Sequence, residues 1–291
     1  MIIIKTRADL KACLDKYRKR GAQLGFVPTM GALHQGHQQL LLEARKACDL
    51  VVCSIFVNPT QFNDPVDFQR YPVTLDQDLL LVSAANSDLL FLPSTETLYP
   101  EGLHQLEQYD LGFLETIFEG SHRPGHFQGV CQVMSRLLNL VQPDQLFMGA
   151  KDYQQCMVID WLLKHEGMQT ALIKVDTVRE KDGLAMSSRN LRLSEEERSI
   201  APTLYATLQK VAERLASVPA GEALQEGRQD LERAGFRVDY LEIADANSLQ
   251  PLEEWDGQRP LVLLAAAFLG SVRLIDNLKL RVKARYLDKL L

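Results

Sequence analysis

Apolar positions along the first part of the chain fall into short runs separated by helical spacing. Residues 2–4 read as a strand, and Thr6 as the N-cap of a helix reaching about residue 20. A second apolar run, 24–27, stops at Pro28. Helical spacing follows over 37–48. The run 51–57 is continuous and β-branched, as expected of a parallel strand covered on both faces. The pattern then predicts a helix over 75–85, a strand over 89–92, a helix over 130–141, a strand at 146–148, a helix over 152–165 and a strand over 172–178. Strands alternating with helices predict an α/β fold: a Rossmann-like, doubly wound parallel sheet.

The pattern changes after Val178. A polar, Gly-containing stretch, 179–190, leads to a charged helix announced by Ser194-Glu195-Glu196-Glu197, a strong N-terminal cap. A second helix follows Pro219. Strand-like runs at 238–243, 261–268 and 272–275 lie close enough together for an antiparallel meander. The expected division is therefore 1–178, the Rossmann-like domain, and 179–291, a smaller α+β C-terminal domain. Residues 279–291 are basic and amphipathic, a pattern compatible with an additional helix.

Composition narrows the function. The chain has 291 residues, 46% hydrophobic and 24% charged, and a net charge of −6. That charge disfavours broad electrostatic binding to nucleic acid or an anionic membrane, so a phosphate-bearing ligand needs a local cluster of donors. The five cysteines, an odd number without a CxxC pair, read as buried thiols of a reducing compartment. Met1-Ile2-Ile3-Ile4 runs at once into Lys5, unlike a leader, and no apolar run approaches the roughly 18 residues of a membrane span. The expectation is a cytoplasmic protein.

Two motifs carry candidate chemistry. His34-Gln35-Gly36-His37 lies between a strand and a helix, within the stretch from Pro28 onward. A helix N-terminus there offers free N–H groups to a phosphate, glycines let the main chain approach, and imidazoles donate hydrogen bonds to phosphate oxygens. Capping or surface histidines remain the alternative; zinc is disfavoured because no third ligand is nearby. Far downstream, Met186-Ser187-Ser188-Arg189 places two hydroxyls and a guanidinium on a loop, which suits a leaving pyrophosphate. Alone it would read as a polar interdomain turn.

The first motif resembles the HIGH motif of the nucleotidyltransferase superfamily, and the second the KMSKS-like loop paired with it. Three further segments extend the likeness: 57–62 (Val-Asn-Pro-Thr-Gln-Phe), 119–127 (Glu-Gly-Ser-His-Arg-Pro-Gly-His-Phe) and 147–155 (Phe-Met-Gly-Ala-Lys-Asp-Tyr-Gln-Gln). Together with 179–189 they resemble the signature segments of the pantothenate synthetase family, from the first strand to Asn277.

That resemblance implies ATP-dependent ligation of (R)-pantoate to β-alanine through pantoyl-adenylate, giving pantothenate, AMP and pyrophosphate, a step of coenzyme A biosynthesis. It implies that Met30, Gly31, Ala32, Leu33, His34, Gln35, Gly36 and His37 bind ATP, with His37 donating a proton. Gly149, Ala150, Lys151, Asp152 and Val178 would hold the nucleotide, and Met186, Ser187, Ser188 and Arg189 would close over the triphosphate. His37, His34, Lys151 and Arg189 are the implied catalytic set. Gln61 and Gln155 would bind pantoate, with Asn58, Arg123 and His126 contributing. Magnesium is expected with ATP, and Asp78 is its candidate ligand, since Gln77 stands where some relatives carry an acid. The resemblance further implies that 1–178 binds nucleotide and pantoate, that 179–291 acts as a lid, and that the protein is a homodimer.

Read without the resemblance, Gln155 fits a solvated helix face, and Lys151-Asp152 fits a helix cap. The competing functions are a nucleotidyltransferase that keeps the nucleotide in its product and a nucleotide-binding regulator without turnover. An aminoacyl-tRNA synthetase is disfavoured by the acidic charge and the lack of an anticodon-binding domain.

Overall fold

The computed structural model describes residues 1–280. One compact unit comprises residues 1–178 together with Met186–Ser188; the other comprises 179–185 and the chain from Arg189 on.

In the first unit β1 (Ile2–Ile4), α1 (Arg7–Arg18), β2 (Leu24–Thr29), α2 (Gln35–Ala47) and β3 (Leu50–Ile55) follow in turn. Then come the short α3 (Pro65–Gln69), α4 (Leu75–Ala84), β4 (Leu89–Phe91), and the short α5 (Thr95–Leu98) and α6 (Phe118–His122). The unit closes with α7 (His126–Val141), β5 (Gln145–Gly149), α8 (Tyr153–His165) and β6 (Ala171–Val175). The six strands form one sheet in the order β1-β4-β3-β2-β5-β6, and every pairing is parallel.

Each strand needs both faces covered, which is why β3 reads as an unbroken apolar run. Val51 and Cys53 of β3 pack with Leu40, Leu41 and Ala44 of α2, Val82 of α4 and Phe147 of β5, all buried. The chain winds outward in both directions from β2 and β5. Their C-terminal ends therefore flank the topological switch point, where open α/β sheets bind ligands.

Local differences from the sequence pattern have local causes. β2 continues through Pro28 to Thr29, because β5 pairs only with Gly25 and Phe26 and needs no N–H from Pro28. Helix α2 starts at Gln35, two residues early, because His34 caps it. Helix α7 starts at His126, after Gly125 turns the chain at φ +77°. β6 ends at Val175. Met186–Ser188, placed by sequence with the C-terminal domain, belong to the first unit: Met186 donates its N–H to the carbonyl of Val178 at 3.0 Å, and Ser188 Oγ donates to the carbonyl of Ala32 at 2.9 Å.

The second unit holds α9 (Glu195–Ile200), α10 (Thr203–Arg214), α11 (Ala220–Arg233), β7 (Phe236–Asp245), β8 (Leu261–Leu269) and β9 (Val272–Leu280). Pro202 lacks the N–H needed to continue a helix, so the charged segment is split into α9 and α10. β7, β8 and β9 form an antiparallel sheet in that order. Leu204, Leu208 and Val211 of α10, Leu224 and Leu231 of α11, and Leu241, Ile243 and Leu263 of the sheet share its core. Lys279 and Leu280 complete β9; the rest of the basic C-terminal segment lies outside the described residues. Among the described residues no helix is long and apolar enough to cross a membrane.

Candidate active site

The turn after β2 is held in an uncommon conformation. Gly31 has φ +82° and Ala32 φ +48°, so two consecutive residues are left-handed. An alanine there costs roughly 1–2 kcal/mol and persists only where neighbours over-determine it. Asp78, in the first turn of α4 and 1% exposed, supplies that constraint. Its Oδ2 accepts from the Ala32 N–H at 3.0 Å, and its Oδ1 accepts from the Leu33 N–H at 2.7 Å and from Thr74 Oγ1 at 3.0 Å. Ser188 fixes the far side of the same turn by donating to the Ala32 carbonyl. A side chain at Gly31 would also meet Asp78 Oδ2 and Ile55 Cγ2 at 3.1 Å.

The two histidines come next. His34 Nδ1 accepts from the Gly36 N–H at 3.1 Å, and His37 Nδ1 accepts from the His34 N–H at 3.3 Å. The pair forms a reciprocal cap on α2, with ring centroids 4.1 Å apart. Since each Nδ1 accepts, the proton of each neutral ring sits on Nε2, leaving two Nε2–H donors. Burial pulls the His34 pKa down to about 4, and the Lys151 ammonium adds to the effect against Asp152. Burial, then His34, then Lys151 hold His37 well below the ordinary range. Both rings are therefore neutral at pH 7. Gly36 is required sterically: a Cβ would lie 2.8 Å from His34 Cε1. Met186 Cβ would lie 3.8 Å from the same Cβ, so the downstream motif also borders this cap.

Gly149 ends β5 on the other side of the switch point, and Ala150, Lys151 and Asp152 follow it. Ala150 donates its N–H to the Val175 carbonyl at 2.8 Å, and Asp152 is the N-cap residue of α8. Lys151 acts electrostatically on both histidines. The structure thus brings Met30–His37, Gly149–Asp152, Val178 and Met186–Ser188 together in the first unit. Gln35 is exposed. Arg189 belongs to the second unit.

A second set of predicted residues surrounds Gln61, which is 9% exposed. Gln61 Nε2 lies 3.0 Å from Met30 Sδ, next to the strained turn. Asn58 Nδ2 donates to Gln61 Oε1 at 3.2 Å and to the Gly129 carbonyl at 3.0 Å, while Asn58 Oδ1 accepts from Tyr99 OH at 2.9 Å and from Thr60 Oγ1 at 3.2 Å. His126 Nδ1 donates to the Gln61 carbonyl at 2.8 Å. That leaves His126 Nε2 to accept from Arg123 Nη1 at 3.1 Å, which fixes a neutral tautomer. Asn58, Arg123 and His126 thus hold Gln61 in place through the protein's own hydrogen bonds. Gln155 is half-buried on α8, whereas its neighbour Gln154 is buried and ties down α6 through Glu119, Leu114 and Ile117.

Sequence reasoning missed Thr74, Tyr99, Thr60 and Gly129. A Cβ at Gly129 would lie 2.2 Å from the Thr60 carbonyl oxygen, so only glycine lets α7 meet the 3-10 turn Pro59–Gln61. The glycine two residues into the run after His126-Phe127 was the visible signal; nothing local marks Tyr99 or Thr74.

The expected magnesium ligand does not fit. Asp78 is buried, and three hydrogen-bond donors already point at its two oxygens, where a hard cation would need oxygen ligands and several waters. Among the described residues no group of three or more His, Cys, Asp or Glu side chains is arranged to hold a metal.

A family model described as pantoate-beta-alanine ligase matches residues 2–279. The chain belongs to that family. The pantothenate synthetase of Pseudomonas fluorescens strain Pf0-1 is 47% identical over 287 residues, covering 97% of this chain and 99% of that protein. The pantoate–beta-alanine ligase of Schizosaccharomyces pombe is 43% identical over 281 residues, covering 96% and 99%. The crystal structure of pantoate-beta-alanine ligase (pantothenate synthetase) from Thermus thermophilus superposes with a TM-score of 0.88 at 43% identity, covering 96% of this chain and 99% of that one. The ligase from Francisella tularensis, in complex with beta-gamma ATP and beta-alanine, has a TM-score of 0.80 at 35% identity, covering 96% and 97%. The pantoate-beta-alanine ligase fold accounts for nearly the whole chain, both the six-stranded parallel sheet and the small antiparallel sheet.

Proposed function

We propose that this chain joins pantoate to β-alanine at the expense of ATP, through pantoyl-adenylate. The observation that carries the reading within the molecule is the pair of neutral Nε2–H donors of His34 and His37, set beside Lys151 at the switch point.

In the first step a pantoate carboxylate oxygen attacks the α-phosphorus of ATP. A bond from carboxylate oxygen to phosphorus forms, the bond to the β-phosphate oxygen breaks, and pyrophosphate leaves. Charge grows on the triphosphate, and His34, His37 and Lys151 donate to it from fixed positions, which lowers the barrier without reorganisation. Ser187 and Ser188 are assigned to the triphosphate, Ser188 from its place at the Ala32 carbonyl; Arg189 is assigned to the pyrophosphate by its motif alone. Asp152 and Val178 are assigned to the nucleoside. Magnesium enters as part of the nucleotide substrate.

In the second step the β-alanine amine attacks the acyl carbon, the mixed-anhydride C–O bond breaks, and AMP leaves with a proton lost from nitrogen. Gln61 and Gln155 orient pantoate, and Asn58, Arg123 and His126 set the position of Gln61. Holding both reactants supplies much of the acceleration.

The protein is assigned to the cytoplasm and to a homodimer; Ile2 and Ile3, 53% and 46% exposed on the edge strand β1, are apolar surface compatible with association. The test is pyrophosphate release with and without pantoate, followed by mass analysis of products. Release that needs pantoate, with free AMP formed on adding β-alanine, is the expected result. A product that retains the nucleotide, or ATP binding without turnover, sinks the reading.

A further inference from the structure

The first turn of α4 carries Asp76, Gln77 and Asp78. Asp76 and Gln77 are exposed, whereas Asp78 turns inward and is buried. Its neighbours are the Ala32 and Leu33 N–H groups and the Thr74 hydroxyl, so every direction filled around its oxygens presents a hydrogen. The two N–H groups belong to the left-handed turn that leads directly into His34.

We infer that Asp78 is a positioning residue of the nucleotide site: it clamps the left-handed turn at Gly31–Leu33, and so sets the entry of α2 and its paired imidazoles, without ligating magnesium. This role rests on the turn binding ATP as proposed above, and it divides the labour between the clamp and the donors. The carboxylate supplies two charge-assisted acceptors to consecutive N–H groups, which a left-handed alanine needs in order to stay in register. Freed from that clamp, Ala32 relaxes toward negative φ, and the carbonyl that Ser188 also grips is displaced. The histidine cap begins two residues later, so a turn that is loose there misplaces both Nε2–H donors.

The inference separates from metal ligation by a binding experiment. ATP dissociation constants are measured for the wild type and Asp78→Asn, once with magnesium and once with EDTA, together with the KM for pantoate. A wild type that binds no ATP fails the underlying assignment before any variant is compared. If Asp78 positions the turn, Asp78→Asn weakens ATP by the same factor, about tenfold or more, in both media, and leaves the pantoate KM within about twofold. The double variant Ala32→Gly/Asp78→Asn then recovers part of that loss, because glycine adopts the left-handed conformation freely. A loss confined to the magnesium medium, no loss in either, or no recovery in the double variant overturns the inference. Should Asp78→Asn fail to fold, Thr74→Val carries the test: it removes the hydroxyl donor to Oδ1, a loss of about two- to fivefold equal in both media is expected, and any other pattern overturns the inference.

Discussion

His37 accepts, on Nδ1, the backbone N–H of His34, and His34 in turn accepts the N–H of Gly36. Each ring therefore serves the helix end with one nitrogen and keeps the other as a donor. Structural capping and phosphate recognition are two uses of the same side chains, and the first dictates the tautomer that the second requires.

Replacing His37 by alanine removes one of two aligned donors. Pantoate-dependent pyrophosphate release should fall by about a hundred- to a thousandfold, the usual cost of losing one such group. The lost cap should cost only about 1 kcal/mol, so the variant stays folded by circular dichroism. Near-normal release would remove His37 from the mechanism.

The His34 ring resists protonation down to about pH 4, whereas an unfolded histidine takes up its proton near 6.5. Between those values the unfolded chain binds a proton that the folded chain refuses. Stability is present above 6.5 and is lost as pH falls toward 4. Linkage gives a loss of about 2 kcal/mol from this residue between pH 7 and pH 5. His37, shifted the same way, adds to it. Urea unfolding at the two pH values should show the drop in the wild type and a smaller one in His34→Asn, whose amide oxygen still caps α2.

Gln61 presents its amide beside Met30 while Asn58 and His126 hold it from behind. Gln61→Ala should raise the KM for pantoate by about tenfold or more, with ATP affinity changed by no more than about twofold. Equal losses for both substrates would contradict its assignment to pantoate.

In the second unit Arg179 forms a two-pronged pair with Asp276, at 2.6 and 2.9 Å, and also donates to the Gly183 carbonyl at 3.1 Å. Its guanidinium lies 3.4 Å from the centroid of the Tyr205 ring. Asp276 has a side chain 2% exposed. Arg179→Met leaves that carboxylate buried without its partner and should cost about 3–5 kcal/mol. Asp276→Asn in the same chain should restore part of the loss. Denaturant unfolding of the single and double variants checks both.

Much of the architecture was legible because burial leaves a period in the sequence. Val51–Cys53 are covered on both faces and read as an unbroken, β-branched-rich run, while α10 buries Leu204, Leu208 and Val211 along one side. Residues 93–125 show little period, yet they are ordered by single long-range bonds, such as Tyr99 OH to Asn58 and Gln128 to both Tyr109 and Glu115. Such bonds join residues far apart in sequence and have no local signature. The paired histidines were conspicuous from their spacing around Gly36. The task of Asp78 was not: its partners lie 45 and 46 positions away in the chain, and an acidic first turn looks the same whether it faces solvent or a backbone.

The tripeptide Met186–Ser188 belongs to the first unit while the chain on either side of it belongs to the second, so the polypeptide changes unit three times within about a dozen residues. Cutting the gene after codon 178 therefore does not separate two self-sufficient halves: the larger fragment loses the serine that grips Ala32. For the same reason, shuffling C-terminal halves among relatives with a join after Val178 imports a foreign serine grip into the nucleotide turn. A join beyond Ser188 keeps that grip native but splits the Arg179–Asp276 clamp between parents. Recombination between diverged members of the family is constrained at this seam from both sides.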